Sequence, residues 1–477
     1  MAIKKYYMTK DVSITNAYKP NGIYSASLSN DGAADSLQVF SIYNQTGFET
    51  SSTLNRKSRI FLKPDLDQLY TDVFEDYTTP RNNVQYWLKL YNVKHHENLP
   101  KEFRLSIFPV VRSFREGFGL DQDTFTDLDE SNWLYKDEGQ LWYEPGGDYE
   151  ESTTILSIDG SYVILHEVGQ YFKNGDEDLE VNVTELINYF FFNDDPGLFS
   201  PLEGFVIKLN SEDYENTDQS YYKKKFSSRS SEYFFKRPIL EARWDSSRFD
   251  DRLSTFQSSS LSNREYTLYK YNYQNAGLED VPGLSSGSNI YVSFYTNSLG
   301  TGTPLQTFTG SWYETGTYSV NFSLSQTGTV YDFWRNLSGT ITYFDSTINI
   351  LPLSDYTHTL QYKLSMPNLH KQYAFDESTT FRVIIKKEYN QNYYVQYQQE
   401  LEHIVSKNLY YRIKRVVDGL IVIDYSQGTR LSYDENGNYF DFSMELLEKG
   451  YLYEISYFLL YSNKYYEQID KFKFKVC

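Results

Sequence analysis

The sequence predicts an all-β protein of tandem antiparallel β-sandwich domains, jelly-roll-like and Ig-like, with one or two short helices. Three observations predict it. Of 477 residues 47 are Tyr and 32 are Phe, and wide rings pack well across strand pairs but lose rotamer freedom on a helix. Short runs alternating apolar and polar residues recur along the chain between Gly, Asn and Ser clusters, as in half-buried strands. Helical periodicity is scarce.

In order, strands are expected at Asp11 to Tyr18, Ser58 to Leu62, Val84 to Val93 and Phe103 to Val111. A helix of two or three turns is expected at Val183 to Phe192, where Thr184 would cap and Leu186, Ile187 and Phe190 share one face. The Ser-rich, charged stretch DSSRFDDRLSTFQSSSLS, Asp245 to Ser262, has little to bury and reads as a linker or extended surface loop. Strands then follow at Tyr266 to Tyr273, Asn289 to Tyr295, Gly316 to Leu324 and Gly339 to Ile350, with turn-rich pieces such as Ser298 to Pro304 between them. After a second break near Leu351 to Tyr356, strands are expected at Tyr362 to Met366, Thr379 to Glu388, Tyr410 to Arg415, Leu420 to Tyr425, Tyr439 to Met444, Tyr451 to Tyr461 and Lys471 to Val476. A second short helix is expected at Gln399 to Ser406. The expected domains are residues 1–247, a small sandwich over 248–352, and a C-terminal sandwich over 353–477.

Composition excludes several classes of function. The net charge is -19, and so negative a surface repels a phosphate backbone, so nucleic acid is not an expected partner. The one cysteine, Cys477, allows neither an intrachain disulfide framework nor a thiolate metal cage. The start, MAIKKYYMTKDVSIT, has no apolar h-region after its basic residues, so no signal peptide is expected. The most apolar stretch, Tyr451 to Tyr461, is interrupted by Glu454 and Ser456 and falls short of the roughly 20 residues that span a bilayer.

Tests for chemistry return little. The match to G-x-S-x-G, Gly283 to Gly287 with Ser285 in the nucleophile position, precedes a strand where a nucleophile elbow needs a helix. His95 and His96 are adjacent and lack the i, i+4 spacing of a helical zinc pair; His166, His358, His370 and His403 are scattered. In GLDQDTFTDLDESNW, Asp121, Asp123, Asp127 and Asp129 are spaced closely enough to wrap calcium, although the EF-hand glycine and distal Glu are missing and a solvated acidic loop is the plainer reading. No catalytic residue and no other cofactor is expected. Trp133 and Trp142 sit in the loop region of the first domain and are candidates for a glycan-stacking platform.

A longer pattern runs through the first 247 residues: DVSITNAYKPN, SRIFLKPDLDQL, VQYWLKLYNV, SFREGFGLDQDTFTDLDESNWLY, LEVNVTELINYF, GFVIKLNSEDYE and FSSRSSEYFFKRPILEARW. In this order the segments resemble the DNRLRE-type β-sandwich domain, a jelly-roll-like adhesion and surface module. With NLYYRIKRVVDGLIVIDY, LSYDENGNYFDFSMELLEKGYLYEISYFL and the terminal EQIDKFKFKV, nearly the whole chain resembles virion structural proteins of tailed phages, particularly marine ones. The resemblance implies a non-enzymatic particle component, in the neck, tail, baseplate or capsid decoration. It would be made in the host cytoplasm without a signal peptide and dock to other virion proteins in a symmetric assembly. The alternative reading is a carbohydrate-binding, adhesive module contacting the host surface, with exposed Tyr and Trp as its platform.

Overall fold

The computed structural model describes residues 3–17, 29–46, 53–76, 78–95, 99–121, 125, 127–128, 130–151, 154–156, 162–164, 167–192, 202–210, 220–258, 265–274, 277–284, 287–352, 362–387, 403–461 and 463–477. Antiparallel sheets dominate throughout, as the aromatic and alternating sequence predicts. The described chain falls into two units, Ile3–Trp244 and the residues from Asp245 onward.

In the first unit the opening strand, Ile3–Thr15, serves two sheets. Ile3 to Tyr7 pair with Ile239–Arg243, while Met8 to Thr15 pair with Ser58 to Pro64, after a register shift between Met8 and Lys10. A bulge of this kind bends a strand and lets it turn from one sheet into the next. One sheet continues from Ile239–Arg243 to Gln85–Leu90 and Leu179–Asn182. The other continues from Thr53–Pro64 to Gly204–Leu209, Phe103–Val110 and Gly169–Phe172, with Ser36–Thr46 and Tyr221–Ser227 attached at its side. Their inward residues, among them Tyr6, Leu62, Leu88, Leu105, Phe172 and Phe205, form one apolar core. Fully burying such a side chain stabilises the fold by roughly 1.5–3 kcal/mol.

Two short helices close this unit. The expected one spans Thr184–Phe190 and buries Leu186, Ile187 and Phe190. Thr184 does not cap it: Val183 occupies the cap position, and the Thr184 hydroxyl instead accepts the Tyr86 N–H at 2.8 Å, tying the helix to the neighbouring strand. The other helix, Leu66–Tyr70, was not expected; Asp65 caps it by accepting from Gln68 N–H, and it runs into a wider turn at Thr71–Glu75 that buries Val73.

The second unit begins with a six-stranded antiparallel sheet in the order Tyr266–Tyr271, Thr317–Phe322, Gln306–Glu314, Asn289–Tyr295, Gly328–Arg335, Thr342–Ile350. Tyr266 and Leu268 at one edge and Ile348 and Ile350 at the other belong to the same core, so the sheet curls on itself. Beyond it a sandwich forms. One sheet holds Tyr362–Ser365, Ser378–Lys387, Gly437–Ser443 and Ser432–Asp434; the facing one holds Phe472–Val476, Leu452–Tyr461, Leu409–Arg415 and Ile421–Ile423. The two layers meet through aromatic rings: Tyr411 stacks on Phe440 with centroids 4.1 Å apart, and Phe381 packs on Phe474 at 5.7 Å. His403–Ile404, within the second expected helix, is a strand paired with Ser378–Lys387; residues 399–402 lie outside the described residues.

The stretch from Asp245 is not the surface loop its composition suggests. Asp250, Asp251, Arg252 and Thr255 are buried. The Arg252 guanidinium makes a two-pronged contact with the Asp332 carboxylate, at 2.7 and 3.0 Å, and donates to Thr347 O at 2.9 Å. Asp251 accepts the Tyr433 hydroxyl at 2.5 Å, the Lys407 ammonium at 3.0 Å and the Thr267 N–H at 2.9 Å, so one carboxylate binds both sheet systems of this unit. The charges that made the segment look solvated are satisfied by partners distant in sequence.

Candidate docking surface

In the first unit the described residues of the loop from Arg112 to Glu150 pack on the face of the sheet that carries Phe61 and Val206. Beneath it lies a small second core of Val12, Ile14, Phe61, Val110, Phe114, Trp133, Trp142 and Val206. Trp133 and Trp142 are 9% and 4% exposed. Trp142 stacks on Phe61 at 5.5 Å and donates its indole N–H to Asn132 O at 2.9 Å, while Trp133 lies under the Arg59 guanidinium at 4.9 Å. Their faces are occupied, so these two residues do not form the glycan platform expected of them.

The loop is fastened by polar side chains with little freedom. Buried Asn30 accepts from Gly32 N–H at 3.2 Å and Gly119 N–H at 3.1 Å and donates to Asp127 O at 3.4 Å. A Cβ at position 119 would lie 2.1 Å from Asn30 O, so only glycine allows this approach. Asn132 accepts from Leu134 and Tyr135 N–H, both at 2.9 Å. Asp148 accepts from Tyr143 N–H and, at 2.8 Å, from Arg112, whose guanidinium lies 4.0 Å from the Tyr143 ring centroid.

On this fixed frame, Phe118, Leu120, Phe125, Leu128, Leu141 and Tyr143 are exposed, Phe118 at 83% and Tyr143 at 80%. Scattered single apolar residues are normal on a surface; here six of them fall within one loop. The tryptophans and the acids of this loop are the candidates the sequence offers, and these six residues are not among them. The available signal was apolar residues without strand alternation, flanked by Gly and Asp, which leaves them no core to enter.

At the foot of the loop sits a carboxyl cluster. Asp11 and Asp31 are buried and Glu116 lies beside them, with Arg229 contacting Glu116 through its guanidinium and Asp11 through its backbone N–H at 2.5 Å. Asp31 accepts the Ser13 N–H at 2.6 Å. Desolvation pushes the carboxyls of Asp11 and Asp31 up to about 7, opposed in Asp11 by the Arg229 backbone N–H and in Asp31 by that of Ser13, and burial raises Glu116 as well.

Of the four aspartates proposed for calcium, Asp123 and Asp129 lie outside the described residues. Asp121 accepts from Phe125 N–H at 3.0 Å and Asp127 from Phe118 N–H at 2.7 Å, contacts that shape the loop. Among the described residues, no three His, Cys, Asp or Glu side chains converge to hold a metal. Ser285, His96, His166 and His358 also lie outside the described residues; His370 stacks on Tyr373 at 5.6 Å. Among the described residues no helix is long and apolar enough to cross a membrane.

No protein-family model matches the chain, and no curated protein matches it. Among solved structures it is similar to the D0-D1 domain of intimin, at 10% identity over 46% of this chain and 95% of that one, with a TM-score of 0.14. It is similar to a biofilm-associated protein BSP domain at 10% identity over 92% of this chain and 66% of that one, TM-score 0.16. It is also similar to alpha-2-macroglobulin from Escherichia coli at 9% identity over 96% of this chain and 25% of that one, TM-score 0.16. Similarity this slight carries no functional argument.

Proposed function

We propose that this chain is a non-enzymatic structural component of a tailed-phage virion, docking to neighbouring subunits through the exposed apolar side chains of the Arg112 to Glu150 loop. The observation that carries the docking reading is the pairing of a braced frame with outward Phe118, Leu120, Phe125, Leu128, Leu141 and Tyr143. A loop already held by Asn30, Asn132 and Asp148 loses little conformational freedom on association, so its apolar contact is not offset by a large ordering cost. Repetition around a symmetric particle then turns a modest interface into a stable one. The net charge of -19 keeps free copies apart and soluble before assembly. Assignment to a virion rests on the resemblance in sequence. Mass spectrometry of purified particles tests it: the chain is expected there in a fixed ratio to the capsid protein, and its absence from particles that infect normally overturns the assignment.

The second reading is adhesion to a host glycan, and what favours it is Tyr143. One ring face packs on Arg112, while the side chain as a whole is 80% exposed and could stack on a sugar. On this reading Y143A abolishes binding of the chain to host polysaccharide; binding that survives the change, or no binding by the parent chain, refutes it.

A further inference from the structure

Strand Tyr221–Ser227 carries a lysine where the core calls for an apolar residue. The register with Ser36–Thr46 shifts between Tyr221 and Lys224, and Lys223 in this irregularity has a φ of 38°. The bulge places Lys224 and Phe226 on the same inward face, and Lys224 is 1% exposed. Its ammonium lies 5.2 Å from the Phe172 ring centroid and 4.9 Å from that of Phe226. It donates to three neutral oxygens: Asn92 Oδ1 at 2.6 Å, Gly175 O at 2.8 Å and Glu177 O at 2.8 Å. Desolvation brings this amine down to about 8, against the opposing charges of Asp178, Glu177 and Asp176, so part of it is the free base near neutral pH.

Asn92 is held just as firmly. Its backbone N–H donates to Asp178 Oδ1 at 2.7 Å, and it bridges to Phe226. On either side, Val93 N–H donates to Lys225 O at 3.1 Å and Ser227 N–H to Tyr91 O at 2.9 Å, fixing the two segments in register. An ammonium has only donors, so it selects the amide oxygen of Asn92 and leaves Nδ2 directed elsewhere. The amine therefore sits against the Asn92 amide beside the rings of Phe172 and Phe226, with the encounter entropy already removed by folding.

We propose that Lys224 and Asn92 are joined in the mature protein by an intramolecular isopeptide bond. The neutral Nζ attacks Cγ of Asn92, the new Nζ–Cγ bond forms, the Cγ–Nδ2 bond breaks, and Nδ2 departs as ammonia carrying the proton that Nζ gives up. No oxidant or co-reactant is needed. Asp178, whose Oδ1 accepts the Asn92 backbone N–H and whose charge bears on Lys224, is the residue we assign to carry that proton between the nitrogens. The bond would tie the end of strand Gln85–Leu90 to strand Tyr221–Ser227 and brace the sandwich independently of what it docks to.

The test is proteolysis and mass spectrometry of the full-length folded chain after prolonged incubation at mildly alkaline pH. The expected result is a branched peptide containing both Asn92 and Lys224, lighter than its two parts by one ammonia, with cleavage after Lys224 lost. It should be missing from K224R and N92A and accumulate more slowly in D178N. Recovery of Asn92 and Lys224 in full yield as separate, unmodified peptides from the parent chain overturns the proposal, whether or not the variants fold.

Discussion

Replacing Arg252 with methionine should destabilise the second unit by about 3–5 kcal/mol, the cost of breaking a buried ion pair by removing one partner. Asp332 is wholly buried, and Arg252 gives it both prongs of a bidentate contact, at 2.7 and 3.0 Å; Trp334 Nε1 at 2.8 Å would be left to face its charge. The same substitution removes the donor to Thr347 O, which costs further if that carbonyl stays buried. For a unit of this size each kcal/mol moves Tm by about 2–4 °C, so a fall of roughly 6–20 °C is expected. Urea unfolding followed by tryptophan fluorescence, with hydrogen exchange to locate the loss to the second unit, measures it. The double variant R252M/D332L should recover most of the loss, because two well-packed apolar residues can replace a buried pair at little cost. A cost for R252M below about 1 kcal/mol, with no recovery in the double variant, would refute the reasoning and return Asp245 to Ser258 to the surface loop its composition suggests.

Three further outcomes follow from the first unit. Asp11 and Asp31 are held near 7 against a usual value of 3.8, so the folded state binds protons more tightly than the unfolded chain; their contribution is full below about pH 4 and is lost as pH rises through about 7. The unit should therefore weaken as pH rises across that window, and urea midpoints no lower at pH 8 than at pH 5 would contradict this. W142A should cost about 3–5 kcal/mol, as expected of a buried tryptophan, whereas an exposed platform residue would cost almost nothing; equilibrium unfolding separates the two. G119A should lower thermal stability more than G139A, since a Cβ at 119 meets Asn30 O at 2.1 Å and one at 139 meets nothing within 4 Å; equal melting curves would show that Asn30 does not hold the loop.

Much of the strand framework was legible because alternation records a sheet with one buried face. Phe103–Val110, Asn289–Tyr295 and Leu409–Arg415 lie where the alternation placed them. Several strands were not expected, among them Ser36–Thr46, Gly169–Phe172 and Tyr221–Ser227 in the first unit, and in the second unit two omissions have a clear physical reason. Gln306–Glu314 is mostly exposed and rich in Ser, Thr and Gly, so it resembles a turn region; Gly328–Arg335 carries Asp332 in its middle, and only the distant Arg252 makes that position a core position. The tryptophans misled for a related reason: Gly146 and Gly147 let the loop press onto Arg59 and Phe61, a tertiary fact that a turn-rich sequence does not announce. The exposed apolar residues were in plain view as apolar side chains in a loop, but separating them from a second small core required knowing which rings that core had already taken.

On the proposed function, the outward apolar residues of the Arg112 to Glu150 loop are covered in the assembled particle. Hydroxyl-radical footprinting of Phe118 and Tyr143, in the free chain and in purified particles, tests it most directly. Both should be modified strongly in the free chain, where they are 83% and 80% exposed, and in particles fall to the level of buried Trp142. Equal modification of Phe118 and Tyr143 in the two states would show that this loop is not an interface in the particle.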